Sequence, residues 1–416
     1  MVEADMPFIA DFHIHSKYSR ATAKDMDLAS LAKWARIKGI SMLGTGDFTH
    51  PVWFSELKGK LQESDLPGVY QYEGVYFILT VEVSNIYFKA GRTRKVHNII
   101  FAPSLETAGE VSSALSEYGG LSSDGRPILS VECDRMVRML TRIDPGILFV
   151  PGHAWTPHFS VFGSNSGFDS PEECFEDQAG RIYSIETGLS SDPAMNWRWS
   201  KLDRFCLMSN SDAHSPSKIG REANVFKERI DYGGLVDILK KKDKERFLYT
   251  VEFFPEEGKY HWDGHRNCSA RLSPQEAMRV NNICPVCGKK VTIGVMHRLE
   301  SLADRSEGYV DKASPSFRRM VPLAEIIGNA LGVSADTVKV EREYFQLIKN
   351  FGTEFKILLD MSKEELKENL PGRIANGIIN VRDSNVEIMP GYDGEYGNVK
   401  IFKEGDSAED KQLKFF

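Results

Sequence analysis

Asp11-Phe12-His13-Ile14-His15-Ser16 closes the apolar run Phe8-Ile9-Ala10, which reads as the end of a short buried strand. Alternate side chains on a strand share a face. Asp11, His13 and His15 therefore point together, while Phe12 and Ile14 point into packing. Three polar groups at the exit of an apolar strand are costly to bury unless something coordinates them. Two imidazoles and a carboxylate suit a divalent transition metal better than magnesium or calcium alone. Taken alone, the pair could equally be core or surface histidines. The chain repeats the signal, however, with Asp47, Glu82, His97, His153 and Asp212-Ala213-His214, each beside a β-rich apolar run. Seven of the ten histidines precede residue 215, which predicts a multi-metal site in that portion.

A second cluster has zinc spacing. His265-x2-Cys268, fifteen residues, then Cys284-Pro285-Val286-Cys287 supplies two short knuckles able to close a tetrahedron. His297 competes with His265 as the fourth ligand. No open position is implied, so this zinc is expected to be structural.

The first cluster needs elements that bring distant residues to one place. Residues 27–38 predict a helix, with Leu28, Leu31, Ala32 and Ala35 at helical spacing and Gly39 as its stop. Strands are expected at 40–43, 76–83, 96–102, 147–150, 182–185 and 205–208, each with a metal-capable residue at or near its end, then a loop and a helix. That is the logic of a (β/α) barrel, whose loops on one face build the site. The fold class is α/β. A barrel over 1–255 is followed by a zinc-binding module at 256–310, a mainly helical C-terminal domain at 311–402 with a helix-hairpin-helix candidate, and a flexible tail at 403–416.

Composition narrows the setting. The chain has 416 residues and a net charge of −7, so global charge advertises no nucleic acid, and any such binding needs a local basic patch. No apolar run is long enough for a bilayer and no signal-peptide pattern opens the chain, so a cytoplasmic location is expected. Cys133, Cys174 and Cys206 are scattered and read as buried thiols. There is no P-loop and no convincing Ser or Cys nucleophile.

In order, His13-x-His15, Asp47, Glu82, His97, His153 and Asp212-x-His214 resemble the polymerase-and-histidinol-phosphatase (PHP) superfamily, over about residues 1–250. That resemblance implies a distorted (β/α)7 barrel with two or three divalent ions (zinc, manganese, magnesium or iron) and phosphoester hydrolysis. It implies His13, His15, Asp47, Glu82, His97, His153, Asp212 and His214 as ligands, with Asp212, His15 and Glu82 as catalytic residues and Glu82 as the bridging carboxylate. The family's second motif usually reads Thr-Asp-His; here it is Gly46-Asp47-Phe48-Thr49-His50, which displaces His50. His158 is a weaker match than His153, and Glu186 is expected to position substrate or a ligand histidine. Bridged ions can hold a phosphate and activate a water.

Around the knuckles, residues 259–319 carry eleven Lys/Arg against six Asp/Glu, the footprint of a phosphate-binding surface. Lys289, Lys290, Arg298, Arg305, Arg318 and Arg319 are the candidates for DNA. Tyr260 and Trp262 could stack on bases or pack the module. The run at 240–246 reads as a solvated helix face. The span 351–375 resembles a helix-hairpin-helix lacking its second glycine. The terminal Leu413-Lys414-Phe415-Phe416 resembles a sliding-clamp-binding peptide with altered spacing.

With Gly44-Thr45-Gly46-Asp47, His153-Ala154-Trp155-Thr156, Cys284-Pro285-Val286-Cys287-Gly288-Lys289 and the turn at 390–396, the order of parts is similar to the endonuclease Q family over nearly the whole chain. That family implies nicking of double-stranded DNA 5′ to deaminated bases (uracil, hypoxanthine, xanthine) and abasic sites by metal-activated water, leaving 3′-hydroxyl and 5′-phosphate ends. The alternatives are a phosphatase for a small phosphate monoester on the same barrel, or a non-catalytic binder of damaged DNA.

Overall fold

Seven strands pair into a ring in the computed structural model, which describes residues 7–403. β1 (Phe8–Asp11), β2 (Met42–Gly44) and β3 (Val75–Lys89) run parallel. β4 (Arg92–Ala102) returns antiparallel to β3, and β5 (Leu148–Pro151) is antiparallel to β4. Beyond β5, the Ala154 N–H donates to the Glu186 carbonyl at the end of β6 (Ser184–Glu186), which lies parallel to β7 (Cys206–Met208). A parallel bridge between Ile14 and Ala213, with His15 N–H donating to Ala213 at 3.0 Å, closes the ring.

This is the expected distorted barrel with one correction. β3 and β4 form a long hairpin with no helix between them, so Glu82 and His97 lie mid-strand rather than at strand ends. The turn residues Ala90 and Gly91 both adopt positive φ (53° and 77°), the conformation a two-residue hairpin turn requires.

The helices follow their local signals. α1 (Leu28–Lys38) starts at Asp27, whose carboxylate accepts the Ser30 N–H at 3.0 Å, and buries Leu28, Leu31, Ala32 and Ala35. α2 (Pro51–Lys60) starts at His50 with proline at its first position, where the missing N–H costs nothing. Trp53, Trp155, Phe162 and Phe168 are fully buried behind the site and fix the loops that surround it.

The sheet extends beyond the ring. β8 (Ala223–Phe226) is antiparallel to β1, and β9 (Phe247–Glu252) is antiparallel to β8. β10 (Ser316–Arg319) is parallel to β9. The span expected as a helical domain from 311 thus begins with a strand built into the barrel's own sheet. After it come α3 (Leu323–Leu331), α4 (Val338–Phe351), α5 (Lys363–Asn369) and α6 (Gly372–Arg382). The predicted capping box at Ser362 and Glu365 is present, and α5 and α6 are joined through Leu370-Pro371. Lys38 at the end of α1 buries its ammonium against Glu354, 3.0 Å away, and Glu354 also accepts from Leu323 N–H and Tyr344 hydroxyl. Breaking such a buried pair typically costs about 3–5 kcal/mol, so this contact is a strong tie between barrel and helices. The run at 240–246 is engaged at the surface, with Lys242 reaching Asp311 and Arg246 reaching Asp237. The candidate clamp-binding peptide lies outside the described residues. Among those residues no helix is long and apolar enough to cross a membrane.

One rung of the extension is unusual. Ala223 pairs with Val251, and the next residues outward, Glu222 and Glu252, are both buried. Glu222 Oε2 and Glu252 Oε1 have no hydrogen-bond partner. Burial first, and then each other's proximity for Glu222, push both carboxyls well above the ordinary range. They are therefore neutral in the fold at pH values where the unfolded chain ionises them. Their contribution is present below the unfolded carboxyl pKa and is lost as pH rises toward the folded values, with a slope of about 1.4 kcal/mol per pH unit for each group. Glu252→Gln should accordingly raise the urea midpoint at pH 8 and leave it nearly unchanged at pH 4. Parallel midpoint curves for the two proteins from pH 4 to 8 would show that these carboxyls are ionised in the fold.

Candidate metal centre

Glu82 lies mid-strand in β3 with a fully buried side chain. Its Oε1 is 2.6 Å from His97 Nδ1 and 3.1 Å from His153 Nε2. Its Oε2 is 3.2 Å from His15 Nε2, 3.4 Å from His13 Nε2 and 3.1 Å from Arg126 Nη1. Asp212 Oδ1 completes the second side, 3.1 Å from His15 Nε2 and 3.6 Å from His13 Nε2. Two donor groups result: His13, His15, Glu82 and Asp212, and Glu82, His97 and His153. They share one carboxylate.

The strands dictate this convergence. His13 and His15 leave β1 on one face. Ser84 pairs with His97 across the β3–β4 hairpin, and Ser84 Oγ meets His97 Nε2 at 2.7 Å, which turns Nδ1 toward Glu82. Asp212 follows β7 and His153 follows β5. Asp47, His153 and Asp212 all adopt positive φ (50°, 27° and 46°). Non-glycine residues rarely take this conformation, and such positions concentrate at functional sites. Gly188 makes room for one of them, since a Cβ there would sit 2.5 Å from His153 Cβ.

The donors fit divalent ions. His13 Nδ1 is held 3.0 Å from both oxygens of Glu186, which fixes the proton there and leaves Nε2 as an acceptor. Buried Nε2 has no hydrogen-bond partner and faces only Glu82 and Asp212. An acceptor nitrogen facing two carboxylates calls for a cation between them. Protons compete for that same place: burial opposes charge on His13 and His15, but the surrounding carboxylates overcome it and raise both well above the usual imidazole range. Burial would raise the Glu82 carboxyl; His97, His13 and Arg126 bring it well below the usual range instead. Burial outweighs the pull of Glu82 and pushes His97 down to about 4.

Of the eight expected ligands, Asp47 and His214 stand in neither donor group. Asp11 also stands in neither group and accepts the N–H groups of Ser211 and Gly220 at 3.0 and 2.8 Å, bracing the Asp212 loop. Asp47 stands in neither donor group, because Oδ1 holds His15 Nδ1 at 3.0 Å and Oδ2 accepts from Ser16 N–H, Ser16 Oγ and Ser19 Oγ. It orients His15. His214 is beside the cluster, its ring 4.6 Å from that of His15, with Nδ1 held by the Asp212 carbonyl at 2.9 Å. His50 caps α2, stacks on Tyr18 and meets the Ser122 carbonyl at 3.2 Å. His158 is exposed and bonded to Asn165. Glu186 positions His13 and also accepts the His153 N–H at 2.7 Å.

The second cluster assembles His265, Cys268, Cys284 and Cys287. Burial would raise the Cys284 thiol, but the N–H groups of Cys287 and Val286 lead the interactions that bring it down to about 6. A thiolate at neutral pH is what zinc binds. His297 is instead bonded to Asp263, 2.6 Å away, and stands outside the quartet. Three of the six cations expected at a DNA surface are used within the protein. Arg298 pairs with Asp169 and donates to the carbonyls of Phe162 and Phe168; Arg305 pairs with Asp203, and Arg319 with Asp192. They join the module and β10 to the barrel. Lys289, Lys290 and Arg318 remain exposed and form no ion pair among the described residues, although Arg318 lies over the Tyr249 ring at 4.1 Å. Tyr260 and Trp262 are half-buried, and Trp262 bridges to Tyr392.

Residues 322–385 match the family model described as the MJ0043 C-terminal domain. The uncharacterized protein YqxK of Bacillus subtilis (strain 168) is 30% identical over 410 residues, covering 94% of this chain and 98% of that protein. The lesion-specific endonuclease PfuEndoQ from Pyrococcus furiosus superposes with a TM-score of 0.86 at 31% identity, covering 96% of each chain. The chain belongs to the endonuclease Q family. An endonuclease Q solved in complex with a 27-mer duplex with an abasic lesion at its active site aligns with a TM-score of 0.84 and 32% identity, over 96% of this chain and 98% of that one.

Around this centre, sequence reasoning missed Ser84, Asn210 and Arg126. Ser84 carries an alternation signal, two residues from Glu82 on one strand face. Asn210 donates to Glu186 at 2.9 Å, and its oxygen accepts the Phe12 N–H, contacts with no local signature. Arg126 sits in a loop that reads as a turn. Glu82→Gln should lower bound divalent ion by about one equivalent per chain in elemental analysis, because both donor groups share that charge. Cys287→Ser should remove the knuckle ion alone. Unchanged metal content in Glu82→Gln would overturn the bridging assignment.

Proposed function

We propose that this DNA-repair endonuclease cuts the phosphodiester 5′ to uracil, hypoxanthine, xanthine and abasic positions, leaving 3′-hydroxyl and 5′-phosphate ends. The observation that carries the reading is the pair of donor groups sharing Glu82 at one mouth, in a chain that superposes along its length on an endonuclease Q complex with an abasic duplex. Divalent ions held there would supply positive charge to the phosphate and lower the pKa of a water. His13, His15, Glu82 and Asp212 would hold one ion, Glu82, His97 and His153 another, and His265, Cys268, Cys284 and Cys287 a structural zinc.

The protein's own groups do the rest. Glu186 and Asp47 hold the imidazoles of His13 and His15 in one tautomer and orientation, so the donors are in place before substrate arrives. Asp212 is the one carboxylate of the set whose side chain reaches solvent, at 27% exposure, and it meets what enters. Lys289, Lys290 and Arg318 offer charge to the duplex backbone. A target nucleotide leaves the stack more readily when its pairing is already weak, which favours damaged positions.

On oligonucleotides with a single uracil, hypoxanthine, xanthine, abasic or normal residue, the wild type should nick only beside the lesions. Asp212→Ala should lose more than about 100-fold in rate, beyond what loss of an outer partner of a ligand usually costs, while retaining lesion binding. Lys289→Ala with Lys290→Ala should lower the slope of log affinity against log salt by about 2 without moving the cut. Normal nicking by Asp212→Ala in manganese would overturn the site. Turnover of a soluble phosphate monoester with no cutting of lesion DNA would replace the reading by a phosphatase.

A further inference from the structure

We propose that Arg126 is a catalytic residue: its guanidinium grips a non-bridging oxygen of the phosphodiester being cut. This rests on the endonuclease reading above and assigns a residue to the substrate rather than to the ions.

Arg126 is the one Lys or Arg side chain, among the described residues, that pairs with a carboxylate of either barrel donor group. Nη1 is 3.1 Å from Glu82 Oε2, yet 27% of the side chain remains exposed. It thus spans from the buried bridging carboxylate to the open mouth. Burial disfavours its charge, and Glu82 and then Asp212 more than restore it.

The loop that delivers it is seated on the machinery that orients His15. Gly125 N–H donates to the Tyr18 carbonyl at 3.0 Å, His50 Nε2 meets the Ser122 carbonyl at 3.2 Å, and Ser84 N–H donates to the Pro127 carbonyl at 2.9 Å. Asp124 accepts the N–H groups of Arg20 and Arg126, each at 3.2 Å. A Cβ on Gly125 would lie 2.3 Å from Asp47 Oδ2 and 2.4 Å from Ser19 Oγ. Any side chain there would lift the loop off Asp47 and carry Arg126 away from Glu82. This gives displaced His50 a role: it anchors the arginine's loop.

Charge explains what the guanidinium does next. The carboxylates of the two donor groups are Glu82 and Asp212. Divalent ions in those groups would satisfy Glu82, and a guanidinium left without that partner needs another anion beside it. The planar fork of arginine matches phosphate oxygens through two parallel N–H bonds. Negative charge on those oxygens is what phosphoryl-transfer sites stabilise.

The experiment uses full-length wild type, Arg126→Gln, Arg126→Lys and Gly125→Ala. Each is assayed for nicking, for bound metal, and for binding in calcium to a uracil duplex whose scissile linkage is either phosphodiester or uncharged methylphosphonate. The wild type should prefer the charged linkage by about tenfold, and Arg126→Gln should show no preference. Nicking by Arg126→Gln should fall by about 100-fold or more, with metal content and melting temperature retained. Arg126→Lys should recover part of the binding preference. Gly125→Ala, which lifts the loop, should share the nicking defect and the loss of linkage preference. Wild-type discrimination or wild-type nicking by Arg126→Gln would overturn the proposal. So would loss of metal from that variant, which would make Arg126 a structural counter-ion of Glu82. A wild type that cuts no lesion duplex would sink the endonuclease reading and this proposal together, whereas a normal wild type beside an equally active Arg126→Gln sinks only the latter.

Discussion

A single buried carboxylate is shared by four imidazoles and a guanidinium. Glu82 presents one oxygen to His97 and His153 and the other to His13, His15 and Arg126, with its side chain wholly removed from water. An isolated charge in such a place would be untenable. Its neighbours make it tenable, and the barrel exists to deliver them. Two strand faces, one hairpin register and three residues in left-handed conformations, Asp47, His153 and Asp212, build the site around this side chain.

The histidines are held from behind. Glu186 fixes His13, Asp47 fixes His15 and Ser84 fixes His97, so each ring has one nitrogen committed to the protein and the other turned inward. These partners divide the acidic residues into two kinds. Glu82 and Asp212 face the donor groups, whereas Asp47, Glu186 and Asp11 spend their oxygens on protein N–H groups and imidazoles. The second kind gives the first its geometry. Metal sites depend as heavily on such outer partners as on the ligands themselves.

Basic residues near the cysteine knuckles divide in the same way. Arg298, Arg305 and Arg319 bind carboxylates of the barrel and fasten the small module and β10 to it. Lys289 and Lys290, at the rim of the knuckle, are left to solvent. A local excess of positive charge thus combines structural ties with a smaller exposed surface. Burial of Lys38 against Glu354 joins the helices to the barrel from the opposite end of the chain.

Much of this was legible in one dimension. His13-x-His15 on an apolar strand, Asp212-x-His214 after another, and the Cys284/Cys287 knuckle announce their chemistry locally, because strand alternation and knuckle spacing are properties of adjacent residues. The helix at 28–38 and the cap at Ser362 were readable for the same reason. Tertiary structure decided which acids join the donor groups and which hold histidines, because a carboxylate's role depends on what lies opposite it, and Asp47 finds its partner 32 residues away. It also brought His265, and not His297, together with the three cysteines. Arg126 lay beyond sequence reasoning altogether. Its closeness to Glu82, 44 residues earlier, arises only when a loop comes to rest on Asp47 and Ser19.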